Sequence, residues 1–568
     1  MKRIVSLAIV FALILTLFSC DKNEEETFTP DTIDTSEMDF SFTERDLSGS
    51  YDSKVVNVQE KNASITSGGT YIFEGEYSSI TVDADGEKVQ IVLDGATITS
   101  QNGPAIYIKA AKKVFITLKD GSQNTLVDGA EYSQDLTDLS VDGCIFSKAD
   151  LTINGGGTLE LSGNYKHGIV SKDDLIITGA ELNINSCDSG IEGKDCLKAK
   201  DASITVVSGT DGIRSTNSED SSKGYIFVEN CKLNITSGRD SIQSETLIKI
   251  VSGNINIESG IGESGTSESY KGIKSNLDIV IDGGNFAINS KDDCIHANNS
   301  IVISGGSFTL SSGDDGIHAD TDLLISGGDI NIIKSYEGIE ATNILVSGGS
   351  ISLTASDDGF NAAGGNDGGL GGQFGHDPFS GGTGTLTFSG GYVFVNASGD
   401  GLDSNGSLTI SGGTILVSGP TNNGNGTLDY GGEAKITGGI LMALGSSGMA
   451  QSIASEGDIG VIGCTFSTIS AGYALTIVDT DGNVVATFAP PKNYSSAVIV
   501  APGVKSGSTY SVYYGGSVSG VDENSFATSG TLEGGTLLGT IEASNGYSGG
   551  GAPSGGPGGG PGGRPGRP

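Results

Sequence analysis

The chain has 568 residues, a formal net charge of -38, 91 glycines, no tryptophan and an apolar fraction of 36%. That charge excludes nucleic acid and an anionic membrane surface as direct partners, and an acidic ligand needs a cation in between. The glycine content and modest apolar fraction exclude a helical protein and favour a turn-rich fold with a narrow core.

In chain order, Lys2 and Arg3 precede an apolar run from Ile4 to Phe18 that is too short for an ordinary transmembrane helix and reads as a signal peptide over 1–19. It closes on LFSC (17–20), which resembles a bacterial lipobox with Cys20 as the lipidated residue. The DKNEEE that follows resembles the signal that sends lipoproteins to the outer face of the outer membrane. The expectation is a surface-exposed outer-membrane lipoprotein that meets the membrane only through its lipid. Residues 20–50, acidic and rich in Thr and Ser, read as a flexible tether.

From Tyr51 to about 470, short alternating strands lie between glycine-bearing turns. An acidic corner marks the repeat: DDCI (292–295), DDGI (314–317), CDSGI (187–191), TDGI (210–213), RDSI (239–242), YEGI (336–339), DDGF (357–360) and GDGL (399–402). The residue before the corner Gly, or its Ser or Cys substitute, falls at 167, 189, 211, 240, 271, 293, 315, 337, 358 and 400. The period is therefore about 22 with insertions. A Gly-Gly pair at 283, 305, 327, 348 and 390 keeps a constant offset of 10 from its corner. One unit is repeated.

Three short strands in each repeat, without hairpin signals, predict an all-β fold, a right-handed parallel β-helix of the pectate-lyase kind. It would hold on the order of 15 to 19 coils in a rod of about 75 to 90 Å. Small residues two positions after the corner Ile (Ser171 to Ser404) fit an inward turn. The column one position after it (Val170, Glu192, Arg214, Gln243, Lys274, His296, His318, Glu340, Asn361, Asp403) reads as polar and outward-facing. Residues 364–384 form a Gly-rich insertion. Residues 471–546, with a DTDGN turn (479–483) and the strand YSVYYGG (510–516), read as an antiparallel element over the C-terminal edge. Residues 547–568 form a Gly/Pro-rich tail.

The column before the corner Gly is acidic at Asp211, Asp240, Asp293, Asp315, Glu337, Asp358 and Asp400, with Asp188, Asp292, Asp314 and Asp357 beside it. Stacked carboxylates about 5 Å apart repel by roughly 1 kcal/mol in water and more when shielded from it. A bound cation removes that cost. Oxygen ligands favour Ca²⁺, and His296 and His318 keep zinc open as a second reading. The alternative is that Asp-Gly makes good turns and the acids stay solvated, a ladder the fold itself does not require. Lys194, Lys198, Arg214 and Arg239, with the two histidines, are candidate ligand-binding side chains. No position breaks the repeat as an installed catalytic site would. The six cysteines after Cys20 lack the spacing of a disulfide scaffold and read as small stack residues.

The strings TYIFEGEYSSITVDADGEKVQIVLDGATI (70–98), GPAIYIKAAKKVFITLKDGSQNTLVDG (103–129), FSKADLTINGGGTLELSGNYKHGIVSKDDLIITG (146–179), GIEGKDC (190–196) and DGIRSTN (211–217) resemble a bacterial carbohydrate-binding β-helix family. This former domain of unknown function is typified by a clostridial protein that binds cellulose and acidic sugars. The resemblance implies bound calcium, affinity for acidic polysaccharide such as polygalacturonate, and no established catalysis. Carried over residue by residue, it points to Asp173 and Asp174, to Asp195, and to Asp211 and Asp240, while Ser189 and Lys271 depart from the corner. The expected function is calcium-dependent polysaccharide binding. A Ca²⁺-dependent lyase or glycosidase, or a surface adhesin or spacer, are the alternatives.

Overall fold

The computed structural model describes residues 33–51, 55–262, 268–363 and 383–546. Cys20, the lipobox, the Gly-rich insertion up to residue 382 and the C-terminal tail lie outside the described residues.

The repeat winds as a parallel β-helix of three sheets, with the right-handed sense that twisted strands favour. The corner residue forms a continuous column: Ala63, Ile80, Ile106, Ile145, Ile169, Ile191, Ile213, Ile242, Ile273, Ile295, Ile317, Ile339, Phe360, Leu402 and Leu428, fifteen rows in direct register. The periodic corners of the sequence therefore stack as expected. The rows at 63, 80, 106 and 428 have no acid-Gly phrase to announce them, and the row at 145 carries DGCI (142–145), a near match to DDCI.

The second sheet runs through strands such as Asp174–Thr178, Cys196–Lys200 and Ser300–Ile303, and the third through Glu181–Ser186, Ser203–Ser208 and Asn285–Asn289. Strict alternation sends Ile, Leu, Val and Phe into one shared core from Val58 to Val500. Within it Phe286 stacks on Phe308 at 4.5 Å. Such a core grows by adding coils, each burying its apolar face on its neighbours.

Glycine at the corner is a matter of close approach. A Cβ on Gly316 would lie 2.6 Å from the carbonyl oxygen of Gly338, and one on Gly338 2.4 Å from that of Gly359. Cys294 stands in the same row, fully buried, with its thiol beside Ser290 Oγ at 3.2 Å. In the Gly-Gly turn the second glycine takes positive φ, as at Gly306 (109°) and Gly349 (86°), which a side chain would oppose.

The C-terminal end is closed by antiparallel structure. Tyr494–Val500 pairs antiparallel with Ile440–Gly445, the last edge of the helix. Around it a five-stranded antiparallel sheet contains the hairpin Leu475–Val478 to Val484–Phe488, turned at Asp479–Asn483 as the sequence predicts.

Residues 33–50 differ from the expected tether. They lie as a strap on the outer face of the second sheet. Phe40 stacks on Phe227 at 5.1 Å, and Tyr225 and Lys198 donate to the Asp39 carbonyl at 2.7 and 3.0 Å. Asp46, 1% exposed, accepts from Thr152 at 2.7 Å and pairs with Lys113 at 2.8 Å. The physical reason is that Met38, Phe40 and Phe42 offer apolar area among acids, and this sheet presents Tyr225, Phe227 and Leu247 outward to meet it. Among the described residues the six cysteines form no disulfide. Five are buried, and Cys187 is exposed, contrary to its expected role in the stack.

Candidate functional site

Corner stacking places the acids in a ladder, and their two carboxylate oxygens divide the work. One oxygen caps a backbone N–H in the following coil. Asp240 Oδ1 accepts from Lys271 N at 2.7 Å, Asp293 Oδ1 from Asp315 N at 2.9 Å, Asp358 Oδ1 from Asp400 N at 2.5 Å and Asp400 Oδ1 from Gly426 N at 2.5 Å. His167 fills this role three coils before Asp240, its Nδ1 accepting from Ser189 N at 3.1 Å. The fold therefore uses the ladder, against the expectation that it could dispense with it, because the sheet pairing leaves these N–H groups to be satisfied at the corner.

The second oxygen meets the column on the far side of the corner Ile. Arg214 donates to Asp211 Oδ2 at 3.1 Å and bridges to Glu192 at 2.6 Å. His296 Nδ1 lies 2.9 Å from Asp293 Oδ2, and His318 Nδ1 3.0 Å from Asp315 Oδ2. Lys274 approaches Asp240 Oδ2 at 3.6 Å. Lys271, itself in the acidic column, holds Asp292 at 3.1 Å and Asp293 at 2.5 Å.

That column was expected to face solvent. It is instead largely buried, because side chains stacked from coil to coil cover one another: Val170 and His318 are fully buried, and Glu192, His296 and Asn361 are at 4–5% exposure. At its first rows it is aromatic, with Tyr107 and Phe146 ahead of Val170. There Tyr132 and Val141 cover it, flanking the one short helix among the described residues, Gln134–Asp138.

The expected ligand-binding side chains are accordingly engaged. His296 and His318 stack at 4.7 Å with both nitrogens of each bonded, to Asp293 and Asn298 and to Asp315 and Asp320. A zinc ion would have to displace those bonds. Lys198 is tied to the strap carbonyls of Asp39 and Ser41. Arg214 is locked between two acids. Arg239 pairs with the half-exposed Glu268, and Lys194 stays partly exposed at its turn.

Charges follow these contacts. Lys271 and His296 hold Asp293 below the usual carboxylate range despite complete burial. Hydrogen bonds to Asp315, Asp320 and Glu340 raise His318 above the usual imidazole range against the pull of burial. Glu192 stays low, burial notwithstanding, because Arg214 and Lys172 flank it.

Among the described residues no Lys, Arg or His pairs with Glu337, Asp358, Asp400 or Asp403. Burial and the repulsion of Asp400 and Asp403 push Asp358 up to about 9. Asp400 and Asp403 rise to about 7, and Glu337 to about 9, again by burial and neighbouring carboxylates.

Three expected clusters come together with ligand oxygens within 4.8 Å of one another: Asp173, Asp174 and Asp195; Asp292, Asp293 and Asp314; and Asp358 and Asp400 with Asp403. Asp403 was visible in the sequence only as a member of the outward column. The second cluster already contains the Lys271 ammonium, so its negative charge is partly answered. Asp188 caps no backbone group but accepts from Thr210 at 2.5 Å, and Asp357 lies beside the third cluster.

The first cluster lies at the turn between the corner and second sheets. Burial and the charges of Asp150, Asp195 and Asp174 push Asp173 up to about 6. Asp195 stays low through Lys223 at 2.6 Å and Asn217 at 2.7 Å. On the third sheet an open groove of about 640 Å³ is lined by Thr205, Asn234, Thr236, Asn256, Asn289 and Thr309 together with the exposed apolar Val207 and Ile333, with Glu258 as its acid. It is a nearly uncharged surface on a strongly acidic molecule.

Residues 59–316 match the family model described as carbohydrate-binding domain-containing protein. A relative with the same description, from Acetivibrio thermocellus, is 38% identical over 135 residues, which cover 23% of this chain and 47% of the relative. The chain thus spans about half the length of that curated relative. It is also similar to a solved structure, described as the polysaccharide lyase-like protein from C. thermocellum in a gadolinium derivative. The two share 27% identity over 48% of this chain and 95% of that chain, at a TM-score of 0.33. Residues 59–316 are thus similar to the carbohydrate-binding domain-containing family that the sequence motifs resemble.

Proposed function

We propose that the protein binds polysaccharide at the cell surface, anchored through Cys20, and that Ca²⁺ at Asp173, Asp174 and Asp195 bridges to carboxylates of an acidic glycan of the polygalacturonate kind. The observation that carries this reading is the triad itself. It lies inside the matched segment, its oxygens lie within 4.8 Å of one another, and Asp173 and Asp174 are only partly buried. A hard cation with six to eight oxygen positions can take three protein carboxylates and keep positions open for a sugar carboxylate. The Asn- and Thr-lined groove supports the reading, since amide and hydroxyl groups suit sugar hydroxyls.

Retention of the purified full chain on immobilised polygalacturonate, with and without EDTA, tests the proposal. Retention lost in EDTA and in Asp173→Ala/Asp174→Ala is the expected result. Retention unchanged by EDTA sinks the calcium bridge, and no retention on any glycan sinks the binding reading. Unsaturated product absorbing in the ultraviolet would establish the lyase alternative. Arg214, which reaches the ladder at Asp211, is held by Glu192 and Asp211 and is poorly placed to serve as the base of a lyase.

A further inference from the structure

We infer that the far end of the ladder, beyond the matched segment, holds a second divalent-cation site built from Asp358, Asp400, Asp403 and the side-chain carbonyl of Asn361.

The three carboxylates present oxygens within 4.8 Å of one another, and no Lys, Arg or His among the described residues pairs with them. Their partition of oxygens is the ladder's own: Oδ1 of Asp358 and of Asp400 each caps a backbone N–H, which leaves each Oδ2 for another partner. In earlier coils that partner comes from the outward column three residues on, as with Arg214 on Asp211, His296 on Asp293 and His318 on Asp315. At the same position these two coils carry Asn361 and Asp403, which stand in direct register with each other.

Asn361 supplies an observation independent of the acids. It is 5% exposed, its Nδ2 donates to Glu337 Oε2 at 2.6 Å, and its carbonyl Oδ1 is buried with no hydrogen-bond partner. The amide group spends its donor on the preceding coil. Its acceptor is left on the branch away from Glu337, beside Asp403 in the next row. A buried carbonyl without a donor costs roughly 1 to 3 kcal/mol. A metal ion is the partner that a carbonyl and three carboxylates share, and an all-oxygen set selects a hard one of the Ca²⁺ class. Gly399 keeps the space open, since a Cβ there would lie 2.2 Å from Asp358 Oδ1 and 2.3 Å from Asp357 Oδ1.

The site stands independently of glycan binding, and its test uses the metal alone. The full chain, stripped with EDTA, is titrated calorimetrically with CaCl₂ beside Asp403→Asn, Asn361→Leu and Asp173→Ala/Asp174→Ala. Loss of one Ca²⁺ equivalent, or weakening of its affinity by roughly tenfold or more, is expected in Asp403→Asn and in Asn361→Leu. The Asp173/Asp174 variant should keep that equivalent. Asp403→Asn is nearly isosteric, and thermal melts in EDTA verify that each variant folds. Unchanged stoichiometry and affinity in both Asp403→Asn and Asn361→Leu would overturn the inference, as would absence of any Ca²⁺ uptake. Glycan retention is not read in this experiment, so its outcome leaves the polysaccharide proposal to its own test.

Discussion

Two stretches of one ladder are built from the same corner yet manage charge in opposite ways. Between Glu192 and His318 the acids are answered within the chain, by Arg214, Lys271, Lys274, His296 and His318. From Glu337 to Asp403 the same rows carry Glu337, Asp358, Asp400 and Asp403, and the position that supplied the base holds Asn361 or another acid. The backbone caps are alike in both stretches, so the fold is served equally. What differs is the second carboxylate oxygen. A ladder position therefore has a fixed structural duty and a variable one, and the variable one is where a ligand can enter.

The largest expected effect breaks the compensated half. Lys271→Met removes the ammonium between Asp292 and Asp293 and leaves a fully buried carboxylate with less support, which should cost about 3 kcal/mol in urea unfolding. Added Ca²⁺ should recover part of that loss, which the wild-type Lys271 coil has no need of. Substituting the acids themselves should give opposite signs in the two halves. In EDTA, Asp293→Asn destabilises, because a low-pKa carboxylate loses its Lys271 and His296 partners. Asp358→Asn keeps an oxygen for the Asp400 N–H but relieves repulsion, and should stabilise by about 1 kcal/mol.

A pH series in EDTA sharpens the contrast. Glu337 and Asp358 near 9, and Asp400 and Asp403 near 7, lie above their unfolded values. The folded chain then binds more protons than the unfolded one, so stability falls as pH climbs from about 4 toward 9. Glu192 lies below its unfolded value, and its contribution is present above about pH 4 and is lost as pH falls through its folded value. Asp403→Asn should flatten the alkaline decline, and Glu192→Gln the acid one, in thermal melts. The smallest effect concerns the strap, which runs over the second sheet from the coils of Lys113 and Thr152 to those of Tyr225 and Phe227. Phe40→Ala removes a half-buried ring from Phe227 and Tyr225 and should cost about 1 kcal/mol, read as faster proteolysis between residues 33 and 50.

Much of this architecture was legible in the chain. The spacing of DDCI and DDGI set Ile295 and Ile317 in register, and the Gly-Gly offset placed Gly306 and Gly328 at equivalent turns. Ile106 and Ile145 were not read as corners, since the coil between them is enlarged by the excursion that carries the Gln134–Asp138 helix; Ile106 has no acid-Gly phrase, and the DGCI at 142–145, a near match to DDCI, stands outside the 22-residue spacing. His296 and His318 looked outward because alternation reports which face of a strand a residue occupies. It does not report whether neighbours in the stack will cover it. The strap misled for a related reason: acidic, polar composition signals disorder, and Phe40 finds its partners only on a strand several coils further along the chain, at Tyr225 and Phe227.

The sequence alone determined the period, the columns and the need for glycine at the corner, because each follows from local spacing and the strand repeat. Tertiary structure decided which charges are paired. A base reaches an acid in its own coil or in an adjoining one, according to rotamer and register, as Lys271 does with Asp293 and Arg214 with Glu192. Only the folded stack reveals that the pairing ceases at Asn361, whose side-chain carbonyl is buried without a partner, and that Asp358, Asp400 and Asp403 gather with no base beside them among the described residues.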